Sequence, residues 1–139
     1  MLVAATASGA APEPDTPYAR MTKLASYISD GETVGALESF DKNMKDYGAI
    51  AEDIAALAAQ TEVLCSIDVV ADKEADDETS DVHHLDLDWY MMLKSRLDDG
   101  LVERRRQHVA VTIQRVSAKA AWRITALSPV QILAPIAVK

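Results

Sequence analysis

Apolar residues recur at three- and four-residue steps in the first half of the chain and at two-residue steps in the second. Tyr18, Met21, Leu24, Ala25 and Ile28 form one stripe. Thr16-Pro17 precedes it as an N-cap followed by proline at the first helical position, and Gly31 stands where a left-handed residue stops a helix. A second helix is expected on Val34, Leu37, Phe40, Asp41 and Met44, losing its pattern around Tyr47-Gly48. A third runs from Ala49 to Gln60 with Ile50, Ile54, Leu57 and Ala58 as its stripe. Very short links join the three, and each apolar face needs a surface to cover it.

From Thr61 the period becomes two. Val63, Cys65, Ile67 and Val69 alternate with Leu64, Ser66, Asp68 and Val70, and the acidic stretch Asp72 to Asp81 reads as a solvated loop. In the next strand His83, Leu85, Leu87, Trp89, Met91 and Leu93 share one face, against His84, Asp86, Asp88, Tyr90, Met92 and Lys94. A third strand sets Val109, Val111 and Ile113 against His108, Ala110, Thr112 and Gln114. A fourth sets Trp122, Ile124 and Ala126 against Arg123, Thr125 and Leu127. A two-residue turn on Asp99-Gly100 would place Asp88 opposite Val111 and mix the faces. A three-residue loop with Gly100 left-handed pairs Leu97 with Leu101, so that Leu87 meets Val111 and Tyr90 meets His108. A loop over Ser117 to Ala120 brings Ile113 opposite Ile124. The sum is an α+β arrangement: helices on the apolar face of an antiparallel meander.

At 139 residues one domain is expected, large enough to need no disulfide or metal. The hydrophobic fraction of 49% includes 23 alanines and only seven aromatics, an ordinary core. Lys+Arg 14 against Asp+Glu 22 gives net −8, which argues against a general nucleic-acid or anionic-membrane binder. The single cysteine excludes an internal disulfide and any CxxC motif. No apolar run approaches the roughly 18 residues that span a bilayer. Residues 1–15 read as a tail, either the remnant of a trimmed export signal or a disordered Ala/Pro segment, and 16–139 as the domain. An exported or periplasmic location is slightly favoured over a cytoplasmic one.

Certain stretches resemble a known family: Asp30-Gly31-Glu32, Gly35-Ala36-Leu37-Glu38-Ser39-Phe40-Asp41, Leu87-Asp88-Trp89-Tyr90, Glu103-Arg104-Arg105-Arg106, and the closing run from Trp122 to Pro129. They are similar to exported bacterial proteins of the NTF2-like (SnoaL-like) superfamily without assigned activity, over roughly residues 16 to 135. The resemblance implies an NTF2-like, cystatin-like roll, with helices packed on a curved antiparallel sheet of at least four strands. Only Lys45 to Gly48 separates the second and third helices, where family members often insert a strand or hairpin, which implies a reduced rim to the pocket.

By the same resemblance a ligand cavity would lie between helices and sheet. Mapped by face, Tyr27, Phe40, Met44, His83, Trp89 and Met91 would line it and favour a small apolar ligand. Superfamily enzymes place an Asp/His or Tyr/Asp pair there, and here only His83 qualifies, so no catalytic residue is assigned. No metal or cofactor is expected: His83 and His84 point to opposite faces of a strand and cannot chelate one ion. Cys65 reads as a small buried hydrophobe. The outer face carries Asp88, Tyr90, Met92, Arg104, Arg106 and His108, a mixture suited to a homodimer interface. Three functions are carried forward: a non-catalytic domain that binds an apolar ligand or serves as a dimeric scaffold, a small isomerase- or hydratase-type enzyme, and a protein-interaction module working through the outer face.

Overall fold

Thr16 caps the first helix as its side chain dictates: its hydroxyl accepts the Ala19 N–H at 3.0 Å, and Pro17 follows where no N–H is required. In the computed structural model, which describes residues 15–97 and 100–136, helix α1 spans Pro17–Ser29 and Gly31 closes it at φ 70°. The expected tail before Asp15, and Asp98-Asp99 of the hairpin loop, lie outside the described residues. Helix α2 is Thr33–Leu37 and α3 is Tyr47–Gln60. Four strands follow: β1 Thr61–Asp72, β2 Val82–Ser95, β3 Val102–Gln114 and β4 Arg123–Ser128, with a 3₁₀ turn at Val130–Leu133. They form one antiparallel sheet in the order β1-β2-β3-β4, and α1 packs mainly on β1.

The second helix is shorter than its apolar spacing suggests. The backbone of Ser39 to Asp41 is taken by the edge of β4 instead: Ser39 O accepts the Ile124 N–H at 2.7 Å and the Asp41 N–H donates to Ile124 O at 2.8 Å. Phe40 thereby forms a parallel bridge to Ile124. An unpaired sheet edge competes successfully with one more helical turn, because both satisfy the same backbone groups. In α2, Gly35 lies under the Tyr27 ring, where an added Cβ would come within 2.6 Å of ring carbon.

The β2–β3 register differs by two residues from the sequence expectation. Leu87 meets Val109, Tyr90 meets Arg106, and Leu85 meets Val111. The Arg96 N–H donates to Gln60 O at the end of α3 at 2.8 Å, which withdraws Arg96 from the ladder and leaves Leu97 87% exposed rather than paired. A shift of two keeps every side chain on its face, so the apolar pattern could not distinguish the two pairings. Ile113 does meet Ile124. Just beyond it the β3–β4 ladder slips between Thr112 and Ile113, so that Ala126 pairs with Thr112 and Leu127 with Val111. Leu127, expected outside, is therefore buried, and Ala126 is exposed.

Leu85, Leu87, Trp89, Val109, Val111, Ile113, Trp122 and Ile124 face the helices, none more than 2% exposed. Met21, Leu24 and Ile28 of α1, Phe40, and Ile50, Ile54 and Leu57 of α3 complete this core.

Candidate functional site

The alternation of β1 breaks at Val69-Val70. Val69 pairs with Leu87, but the next partner of β2, Asp86, faces Ala71, leaving Val70 as the extra residue of a bulge, 58% exposed. Beyond the bulge the parity of the strand is reversed. Asp72, an outward-facing position by simple alternation, pairs with Leu85 on the inner face.

There it meets His83, the inner-face residue near the start of β2. His83 Nδ1 stands 2.9 Å from Asp72 Oδ2 and 3.0 Å from Oδ1, with the two side chains 8% and 4% exposed. By simple alternation His83 has no carboxylate partner; the bulge supplies one. The only signal in the sequence was the pair of adjacent valines interrupting the alternation.

The remaining contacts fix the carboxylate. The Tyr18 hydroxyl of α1 donates to Asp72 Oδ2 at 3.1 Å, and the Glu74 N–H donates to Oδ1 at 3.0 Å. Burial first, and then the hydrogen bond and charge of Asp72, push the Tyr18 phenol above its ordinary range. Glu74 turns to the other face, where it accepts from the His84 backbone N–H at 2.6 Å and lies 2.9 Å from His84 Nδ1, which holds its carboxyl low. The adjacent histidines thus engage different carboxylates on opposite sides of the strand. Donor atoms of Asp72, Glu74 and His83 lie within 4.8 Å of one another, but the carboxylates already accept the N–H and O–H groups just named.

Behind His83, the Trp122 ring meets the imidazole edge-on, centroids 5.3 Å apart at 78°, and carries the Arg115 guanidinium 4.7 Å from its own centre. Arg115 is held by Asp81 at 2.8 Å. Asp15 ties the start of α1 to β4, accepting the Trp122 N–H at 2.9 Å and Arg20 at 3.1 Å on one oxygen. Tyr18, Asp72, Glu78, His83, Arg115 and Trp122 line an open cleft of about 440 Å³ at this end of the sheet. His83 Nε2 has no hydrogen-bond partner among the described residues and is not sealed from solvent.

The six residues expected around an interior cavity fall in four places. His83 lines the mouth cleft and Met44 a separate surface groove. Tyr27 borders a gap of about 10 Å³ between α1, α2 and α3. Phe40, Trp89 and Met91 are fully buried members of the core. Beneath them Cys65, inward as expected, has its thiol pushed up to about 12 by burial. The six outer-face residues do come together. Arg106 donates to Asp88 from Nε and Nη2 at 3.2 and 2.8 Å, which holds the Asp88 carboxyl low, and His108 lies 3.5 Å from Asp86.

No protein-family model and no curated protein matches the chain. Its likeness is to solved structures. An NTF2-like superfamily protein from Salmonella enterica serovar Typhimurium superposes with a TM-score of 0.59 at 11% identity, over 88% of this chain and 90% of that one. The chain has the NTF2-like fold. A conserved protein from Planctomyces limnophilus shares this fold with a TM-score of 0.63 at 8% identity, covering 78% of this chain and 88% of that one. Aln2 from a Streptomyces species does so with a TM-score of 0.59 at 16% identity, covering 78% and 82%. At these identities the likeness is one of fold. No helix of the described residues is long and apolar enough to cross a membrane.

Proposed function

We propose that this NTF2-like domain relocates a proton on a small molecule docked in the mouth cleft, an isomerase-type activity with His83 as its base. The observation that supports this reading is the buried His83–Asp72 pair bordering an open cleft. An ionised Asp72 requires the proton on Nδ1, which leaves the Nε2 lone pair free to accept one. When Nε2 takes a proton from substrate, the new imidazolium is balanced by a carboxylate 2.9 Å away that the Tyr18 hydroxyl and the Glu74 N–H hold in place. Returning that proton to a different substrate atom completes the isomerisation with atoms and charge conserved. Arg115 is the permanent cation in the lining named above.

An apolar ligand enclosed between the helices and the sheet has less support. Phe40, Trp89 and Met91 spend their surfaces on one another's core, and the gap beside Tyr27 is about the minimum for one water. The experiment is deuterium wash-in from D₂O into a panel of cyclic and acyclic ketones, followed by proton NMR. Exchange above the buffer rate that falls about 100-fold or more in His83→Gln supports the base. A rate unchanged by that substitution, or no exchange across the panel, overturns the reading.

A further inference from the structure

His83 and Arg115 share one support. Trp122, 2% exposed, meets the imidazole with centroids 5.3 Å apart and carries the guanidinium carbon 4.7 Å from its ring centre. The two groups therefore stand within about 10 Å of each other, close enough for one small molecule to touch both. Each is also fastened from behind. Asp72 holds His83 Nδ1 at 2.9 Å, while the Arg115 Nε–H donates to Asp81 Oδ1 at 2.8 Å and Nη1 donates to Ala118 O at 3.3 Å. One atom on each side stays open: His83 Nε2, and Arg115 Nη2, which makes no hydrogen bond among the described residues and is not sealed from solvent. We infer that the molecule whose proton moves in this cleft is a small oxo acid, its carboxylate on Arg115 Nη2 and its carbonyl-activated C–H at His83 Nε2. This assignment rests on the proton-transfer reading and extends it to the substrate class.

A guanidinium is charged at every working pH, and its planar N–H groups match a carboxylate. Asp81 neutralises Arg115 only in part, since it touches Nε alone and its side chain is 48% exposed, where water screens the pair. Two other carboxylates of the lining are already engaged: Asp15 with the Trp122 N–H and Arg20, Asp72 with His83 and Tyr18. Glu78 is exposed on the loop after β1 and makes a cationic substrate the competing occupant. The charge that develops during reaction favours the anion. As His83 takes the proton, the C–H electron pair forms a C=C bond to the carbonyl carbon, and the carbonyl π pair moves onto oxygen. The substrate gains a negative charge beside Arg115 and the new imidazolium, whereas an ammonium substrate would set its charge against both. Return of the proton to the same carbon gives exchange, and return to the far end of a conjugated chain gives an isomer. No further reactant is consumed.

Binding and exchange are read separately, so that the oxo-acid assignment and the base can fail separately. Trimethylpyruvate has no proton beside its carbonyl, and titration calorimetry therefore reports its binding alone. It should bind wild type and His83→Gln within about threefold of each other and Arg115→Gln about tenfold or more weaker. Asp81→Asn should bind it about threefold tighter, because the competing charge is gone, and a gain of affinity cannot come from a damaged cleft. In D₂O, α-ketobutyrate and levulinate should exchange about tenfold or more faster than their neutral amides. No binding to wild type, binding that Arg115→Gln and Asp81→Asn both leave unchanged, or faster exchange of aminoacetone than of either acid would overturn the oxo-acid assignment, whatever His83→Gln does. Binding as expected with exchange indifferent to His83→Gln would overturn the base, and with it the C–H half of the assignment, while supporting Arg115 as the carboxylate site.

Discussion

Replacing Asp72 separates what the His83 pair does for folding from what it does for chemistry. Three donors lose their acceptor in Asp72→Ala, and they lose unequally. The Tyr18 hydroxyl is exposed and rehydrates at little cost, and the Glu74 N–H is only partly buried. His83 Nδ1, on a side chain only 8% exposed, is the donor that loses most. A hydrogen bond to a charged group contributes about 1.5–3 kcal/mol, and a buried donor left unsatisfied costs about 1–3 kcal/mol. With the partial loss at Glu74 the expected destabilisation is about 2–4 kcal/mol. Asp72→Asn keeps a carbonyl oxygen for Nδ1 and removes only the charge assistance, so about 1 kcal/mol is expected. Urea unfolding at neutral pH, with the slope checked against wild type, measures both. If the alanine variant stays within about 0.5 kcal/mol of wild type, the size of an ordinary surface change, Asp72 is not holding a buried imidazole. If asparagine costs as much as alanine, the charge rather than the acceptor is what His83 needs.

Gly35→Ala should destabilise by about 1–3 kcal/mol through overpacking, despite the better helix propensity of alanine, because the new Cβ would stand 2.6–2.9 Å from the Tyr27 ring. Tyr27→Leu in the same chain should recover most of that loss, as read by urea midpoints, and no recovery would mean that the clash lies elsewhere. Acid unfolding should depend on Glu74. The His84 hydrogen bonds depress its carboxyl below the ordinary 4.5, so its contribution is present above that value and lost as pH falls through the folded one. Stability of Glu74→Gln should therefore fall less steeply between about pH 5 and pH 2, and parallel acid limbs for the two proteins would refute this.

Much of the fold follows from side-chain periodicity read locally. The Thr16-Pro17 cap, the stripe of α1, the left-handed Gly31 and Gly100, and the alternation of β2 each rest on a few neighbouring residues, and each has the same meaning in any compact chain. The outer-face set is legible for the same reason, since β2 and β3 pair without interruption and their parity never changes. The mouth cleft was not legible, because the residue that defines it depends on a bulge.

Three features were decided only by the assembled structure. The β4 edge recruited Ser39 to Asp41 and ended α2 early; Gln60 drew Arg96 out of the hairpin and set the register; and two slips in the ladders reversed strand parity, turning Asp72 and Leu127 inward. The physical reason is common to all three. Periodicity fixes which side of an element is apolar, but a backbone N–H or C=O accepts whichever partner the tertiary arrangement brings near, and one extra residue in a strand costs little while exchanging every face beyond it. The sequence by itself therefore determined the layers of this protein and the faces of its longest strands. Its tertiary pairing decided that the carboxylate following Val69-Val70-Ala71 would meet the histidine at the start of β2.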